Sequence, residues 1–207
     1  MPTPQRVAKV KAVLEHRQPD LRVVIDHVLI AHNASAVLRT CDAAGILYVD
    51  LISPNPAAIE FNRAISTRAD KWLEISIYET AEECLRPLKE KGFQIIATHL
   101  GPDSISFREV DYTRPTVLLF GSEAEGVTPQ ALIWADKKIK IPMFGMVQSL
   151  NLSVSVGIIL FEALRQREAK GFFRERRLPD KEYSRLLKKW LHLPDEGLEE
   201  KKFESDS

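Results

Sequence analysis

Six short apolar runs, set between stretches of helical periodicity, constrain this chain more than any other feature. They cover Leu21 to Ile30, Ile46 to Ile52, Trp72 to Tyr78, Phe93 to Thr98, Val117 to Phe120 and Lys138 to Pro142. Most are continuous rather than alternating, the pattern of strands covered on both faces. Their alternation with helices predicts a three-layer α/β architecture with a mostly parallel sheet. Helices are expected from about Asn33 to Ala44, with Gly45 past the end, from Ala57 to Ile65, and from Thr80 to Lys91, where Thr80 and Glu83 form a capping box. A short helix is expected from Thr128-Pro129 to Ala135 and a long one over about Leu150 to Arg167. The last is apolar on nearly every side, through Leu152, Val154, Val156, Ile159, Phe161 and Leu164 among others. That predicts burial all round, part of it against a second subunit.

At 207 residues the chain fits one domain with appendages. Four segments are expected. Residues 1–20 carry a basic helix on Val7, Val10 and Leu14, stopped by Gln18-Pro19-Asp20. Residues 21–167 are the α/β body. Residues 168–194 carry a second amphipathic helix, opened by Pro179, with Tyr183, Leu186, Leu187, Trp190 and Leu191 on one face. Residues 195–207 are acidic and aperiodic, and are expected to be disordered. Lys and Arg together equal Asp and Glu, 29 each, yet the charge is unevenly placed. Residues 1–24 hold five basic and two acidic side chains, and residues 165–190 hold ten and four. Two basic flanks on a mildly acidic body would form a phosphate-binding footprint if they met in space. Cys41 and Cys84 lack metal or disulfide spacing, and the five His residues show no ligand spacing, so no metal is expected. A reducing cytosol suits such cysteine usage. With no apolar run of membrane-spanning length and no signal-peptide core at the N-terminus, a soluble cytoplasmic protein is expected.

Three segments set polar side chains at the mouth of a helix that follows a buried strand, the edge where open α/β sheets bind ligands. The first runs from Asn33 to Arg39-Thr40. The second is Phe120-Gly121-Ser122-Glu123-Ala124-Glu125-Gly126. The third is Ile141 to Val156, including Ser149-Leu150-Asn151. The glycine loop has neither the Lys-Ser/Thr of a P-loop nor the nicotinamide fingerprint. Its acids Glu123 and Glu125 would repel phosphate and suit a positive or hydrogen-donating ligand; read alone, it is equally a solvated turn. Arg39 lies among Val37, Leu38, Cys41 and Ala44, which places its guanidinium at a crowded edge, where its planar fork suits phosphate or carboxylate; a lone helical Arg is otherwise a surface side chain. Taken singly, Asn33, Ser149 and Asn151 are helix caps, His32 a solvated loop residue and Cys41 a core residue. Thr98-His99 ends a strand on the same edge and would line a pocket.

Taken together, Asn33-x5-Arg39-Thr40, Phe120-Gly121-x-Glu123-x-x-Gly126 and Ile141-Pro142-Met143-x-Gly145 leading to Ser149-Leu150-Asn151 make a chain that resembles the SpoU branch of the SPOUT RNA methyltransferases. Its basic flanks are similar to those of members that methylate the 2′-oxygen of guanosine 18 in the tRNA D-loop. The resemblance implies a SPOUT fold with a C-terminal trefoil knot, an exception to the rule against threaded chains, and a homodimer. It implies S-adenosylmethionine, held bent by Thr98, Gly121, Ile141, Met146 and Leu150; a positive sulfonium agrees with an acidic loop. It makes Arg39 the activating residue, as base or as electrostatic clamp, with Asn33, Glu123, Ser149 and Asn151 positioning it and the ribose. Arg6, Lys9, Arg165, Arg167 and Arg174 would contact tRNA. The rival readings are methylation of ribosomal RNA or of another tRNA position, and a non-catalytic RNA-binding module.

Overall fold

Both faces of the central strands are apolar, and each face has its own helices. The computed structural model describes residues 2–27, 31–55, 69–122 and 125–194, and of 31–34 the backbone alone. Its strands are β1 (Leu21–Ile25), β2 (Tyr48–Ile52), β3 (Glu74–Tyr78), β4 (Gln94–Thr98), β5 (Ile105–Ser106), β6 (Thr116–Phe120) and β7 (Lys137–Lys140). They form one sheet in the order β3-β2-β1-β6-β4-β7-β5, and every pair in it is parallel. Side chains alternate across a strand. Leu21, Val23 and Ile25 of β1 and Leu118 and Phe120 of β6 therefore join one core, while Val24, Val117 and Leu119 join the other.

The helices are α1 (Pro4–Glu15), α2 (Ala31–Ala43), α3 (Ala81–Glu90), α4 (Pro129–Leu132), α5 (Leu152–Ala169) and α6 (Asp180–Leu191). Helices α2 and α5 cover the first face with Val37, Leu38, Cys41, Val156, Ile159, Leu160 and Ala163. Helix α3 covers the second with Cys84, Leu85 and Leu88, and the expected Thr80–Glu83 capping box opens it. None of the described helices is long and apolar enough to cross a membrane.

Several boundaries differ from the sequence expectation. Strand β1 stops at Ile25, because His27 turns the chain with φ of 58°, and residues 28–30 lie outside the description. The expected helix at 57–65 and the acidic segment 195–207 lie outside it too. Trp72 is not in a strand but ends a 3-10 turn, Ala69–Trp72. Helix α4 is a single turn rather than a run to Ala135. Strand β5 has two residues, too few to show a pattern. The long helix is not buried all round within one chain: Val154 is 48% and Phe161 56% exposed.

The two basic flanks do meet. Helices α1 and α6 pack together through Val10, Leu14, Leu178, Leu186, Trp190 and Leu191, with Leu47 from the body. Two wholly buried arginines fasten them. Arg17 donates to the Ile46 carbonyl at 2.6 Å, to Asp42 Oδ1 at 2.5 Å and to the Trp72 carbonyl at 3.1 Å.

Arg167 corrects an expectation. Far from facing tRNA, it is 0% exposed. Its Nε donates to the Tyr112 carbonyl at 2.9 Å, Nη1 to Asp20 Oδ1 at 2.7 Å and Gln18 Oε1 at 3.2 Å, and Nη2 to the Asp20 and Arg114 carbonyls at 3.1 Å. A guanidinium has five N–H donors, so none is left for phosphate. Arg177 completes the cluster from the other side, donating to Asp20 Oδ2 at 2.7 Å.

Burial alone would raise the Asp20 pKa, but Arg167 and Arg177 outweigh it and hold the carboxyl below the usual range. A depressed carboxyl stabilises the fold above its unfolded value, about 3.9, and the contribution is lost as pH falls through the folded value. Asp20→Asn should cost about 1.5–3 kcal/mol at pH 7, the scale of hydrogen bonds to charged groups. The gap between wild type and variant in urea denaturation should hold from pH 7 to about 5 and close only below about pH 4.

Candidate active site

A parallel sheet brings all its strand ends to one edge, and here the ends of β4, β6 and β7 open a cleft of about 420 Å³. Three stretches form its walls. Thr98 to Gly101 leave β4, Phe120 to Ser122 and Glu125 to Val127 leave β6, and Ile139 to Ile141 end β7. Ser149, Leu150, Leu152 and Ser155 close it from the start of α5. Segments far apart in sequence are thus gathered because β6 and β7 flank β4.

The loop after β6 is drawn tight. A Cβ on Gly121 would lie 1.8 Å from the carbonyl carbon of Gly126, so no other residue fits without opening the loop. Gly126 itself has φ of 71°, a conformation that favours glycine, and its N–H donates to the Ser122 carbonyl at 2.9 Å. Asp26, 2% exposed at the end of β1, accepts from the Thr128 N–H at 2.7 Å and pins the far end.

Of the residues expected around a cofactor, Thr98, Gly121, Ile141 and Leu150 line the cleft. Met146 does not: it is 100% exposed, in a segment without helix or strand from Ile141 to Asn151. Ser149 lies on the cleft wall. Asn151 does not, because its side chain caps α5, accepting from Ser153 N at 2.9 Å and Ser153 Oγ at 2.7 Å. Arg39 is exposed on α2 and is not a wall of the cleft within one chain, contrary to the expectation of a crowded edge: the buried Val37, Leu38 and Cys41 face the core and leave Arg39 outward. The side chain of Asn33, and Glu123 entirely, lie outside the described residues. Sequence reading missed Gln148 and Ser155 as wall residues; Gln148 directly precedes the expected Ser149, an adjacency that could have placed it.

Cys41 is a core residue and no nucleophile, since burial pushes its thiol far above the usual range. Among the residues expected at RNA, Arg6 and Lys9 are exposed on α1 and Arg174 on the turn after α5. Arg165 is exposed but forks onto Glu162, with two contacts of 2.8 Å.

The SpoU rRNA Methylase family matches residues 20–161. The chain belongs to this family. It is 47% identical over 188 residues to the tRNA (guanosine(18)-2'-O)-methyltransferase of Aquifex aeolicus, covering 91% of this chain and 89% of that one. The crystal structure of the Aquifex aeolicus TrmH/SpoU tRNA modifying enzyme superposes with a TM-score of 0.86 over 91% of this chain and 95% of that one, again at 47% identity. The AdoMet-bound rRNA methyltransferase of Sinorhizobium meliloti is 30% identical, with a TM-score of 0.59 over 75% of this chain and 59% of that one. In this SpoU chain the cleft suits such a cofactor: the tight Gly121 turn exposes backbone where a side chain would intrude, Ile141 and Leu150 give apolar walls, and Glu125 gives a negative one.

Gly121→Ala should lower the thermal midpoint by several degrees, because its Cβ forces the loop apart. Calorimetric titration with S-adenosylmethionine should show affinity reduced at least tenfold; wild-type affinity would mean that the loop does not shape the cofactor site.

Proposed function

We propose that this SpoU chain methylates the 2′-oxygen of guanosine 18 in tRNA, using S-adenosylmethionine. The observation that carries the reading is the reach of the similarity. The family match ends at residue 161, whereas the similarity to the Aquifex aeolicus enzyme covers 91% of the chain at 47% identity, more than the α/β body alone. The basic flanks that lie beyond the family match are the parts of this chain that pack together, α1 against α6.

The cofactor would supply an electrophilic methyl group on a positive sulfonium. Thr98, Gly121, Ile141 and Leu150 hold it at the cleft, and Ser149 and Glu123 orient the ribose. A guanidinium has five donors and no acceptor, so the role of Arg39 is a clamp: it holds a substrate phosphate and steadies the developing alkoxide. Alignment of the 2′-oxygen supplies much of the acceleration. The cytoplasm, where tRNA is processed, is the place of action.

Arg39 lies off the cleft of its own chain, and a second copy would complete the site. Val154 and Phe161, seven residues apart and so on one face of α5, are exposed, as are Phe144, Met146 and Val147 in the segment before it. This apolar surface is the proposed homodimer contact. A trefoil knot formed by the segments at 121–126 and 141–150 fits the insertion of β7 between β4 and β5.

Arg39→Ala should reduce methyl transfer to unmodified tRNA by at least 100-fold while S-adenosylmethionine still binds with wild-type affinity, as measured with radiolabelled cofactor and nuclease mapping of the product. A label at another nucleotide, or in ribosomal RNA only, would replace this reading. Phe161→Glu should convert a dimer to a monomer in light scattering and lower activity with it; an unchanged mass would remove α5 from the interface.

A further inference from the structure

A second hollow lies at the opposite edge of the sheet from the cleft. Trp72 precedes the first residue of β3 by two positions, and Asp42 is in the last turn of α2, so both mark the edge where strands begin. The cleft is where strands end. A five-residue strand spans about 17 Å, so one nucleotide cannot touch both.

The hollow measures about 290 Å³, at the low end of small-ligand sites, which start near about 300 Å³. Its walls are aromatic and apolar: Trp72 and Trp190 meet edge to face, centroids 5.3 Å apart at 79°, beside Val10 and Val13. Trp190 is 3% exposed, with the Arg17 guanidinium 5.2 Å from its ring centroid, so the half-buried Trp72 is the ring open to a ligand. The rim is cationic. Arg6 lies over the Trp72 ring at 5.7 Å and donates from Nη2 to the Trp190 carbonyl at 3.2 Å, leaving its other N–H groups for a phosphate, and Lys9, three residues on, shares that helix face without an ion pair among the described residues. One wall carries an acceptor, the carboxylate of Asp42, 31% exposed, with Oδ1 bound to Arg17.

Aromatic walls under a cationic rim are the chemistry that stacks a base and holds its phosphate. A carboxylate beside them accepts from an exocyclic amino group. We infer that this hollow receives an unpaired, amino-bearing nucleobase of the substrate RNA, remote from the methylated nucleotide, with Arg6 and Lys9 on the adjoining phosphate. The inference rests on the tRNA reading above. It makes the hollow a selector for folded RNA, since only a substrate long enough to span the sheet reaches it and the cleft together.

Val13, 37% exposed at the rim, allows the hollow to be filled from outside by Val13→Phe. With intact unmodified tRNA, the KM of Val13→Phe should rise about tenfold, the scale of one lost base stack, and Lys9→Glu should raise it as well. With a D-arm hairpin in place of tRNA, Val13→Phe should match wild type. In a Trp134→Phe background, where emission comes from Trp72 and Trp190 alone, intact tRNA should quench fluorescence, and Val13→Phe should abolish the quench. The proposal is overturned by folded Val13→Phe with wild-type KM for tRNA, by a quench that survives it, or by saturable quenching with free mononucleotides alone, which would mark a small-molecule site. If Val13→Phe does not fold, an unchanged KM in Lys9→Glu overturns it instead. Quenching by tRNA in a wild-type protein that transfers no methyl group would sink the methyltransferase reading and leave the hollow standing.

Discussion

Every strand of this sheet runs the same way, and the rest of the molecule follows from that constraint. A parallel sheet must be covered on both faces, which accounts for strands apolar on both sides. It also delivers all its strand ends to one edge. Because β6 sits beside β4 and β7 beyond it, the segments leaving Thr98, Phe120 and Lys140 have no choice but to meet. The cleft is therefore a property of topology first and of side chains second, and the side chains refine it: a turn at Gly121 too close for any Cβ, and a buried Asp26 that pins the loop's far end.

The flanks obey different physics. Helices α1 and α6 have one apolar face each and too little surface to fold alone, so they share a small core around Trp190. What locates that core on the body is ionic. Arg17 and Arg167 are wholly buried and held by acceptors from several segments, Arg167 through all five of its donors. Removing one partner of such a buried cluster leaves a charge without compensation. Of the cations expected at RNA, Arg6, Lys9 and Arg174 are exposed while Arg167 is spent on structure, and net charge alone cannot make that distinction.

This explains what sequence reading could and could not reach. Strand runs such as Val117 to Phe120 and the Thr80–Glu83 cap were legible because they depend on neighbours in the chain. Arg167 was not, since its acceptors at Gln18, Asp20, Tyr112 and Arg114 come from distant segments, and a basic residue near a helix end otherwise reads as surface. Asn151 looked like site and cap at once; within one chain its hydrogen bonds to Ser153 make it a cap. The hollow between Trp72 and Trp190 had no sequence signature, because its walls lie 118 residues apart.

The central claim is that segments gathered by β4, β6 and β7 hold the methyl donor at one edge of the sheet. A crystal structure with S-adenosylhomocysteine tests it most directly. The account predicts ligand density against the backbone of Gly121 and the side chains of Ile141 and Leu150. Density elsewhere on a fully folded protein, with the cleft empty at saturating ligand, would contradict it.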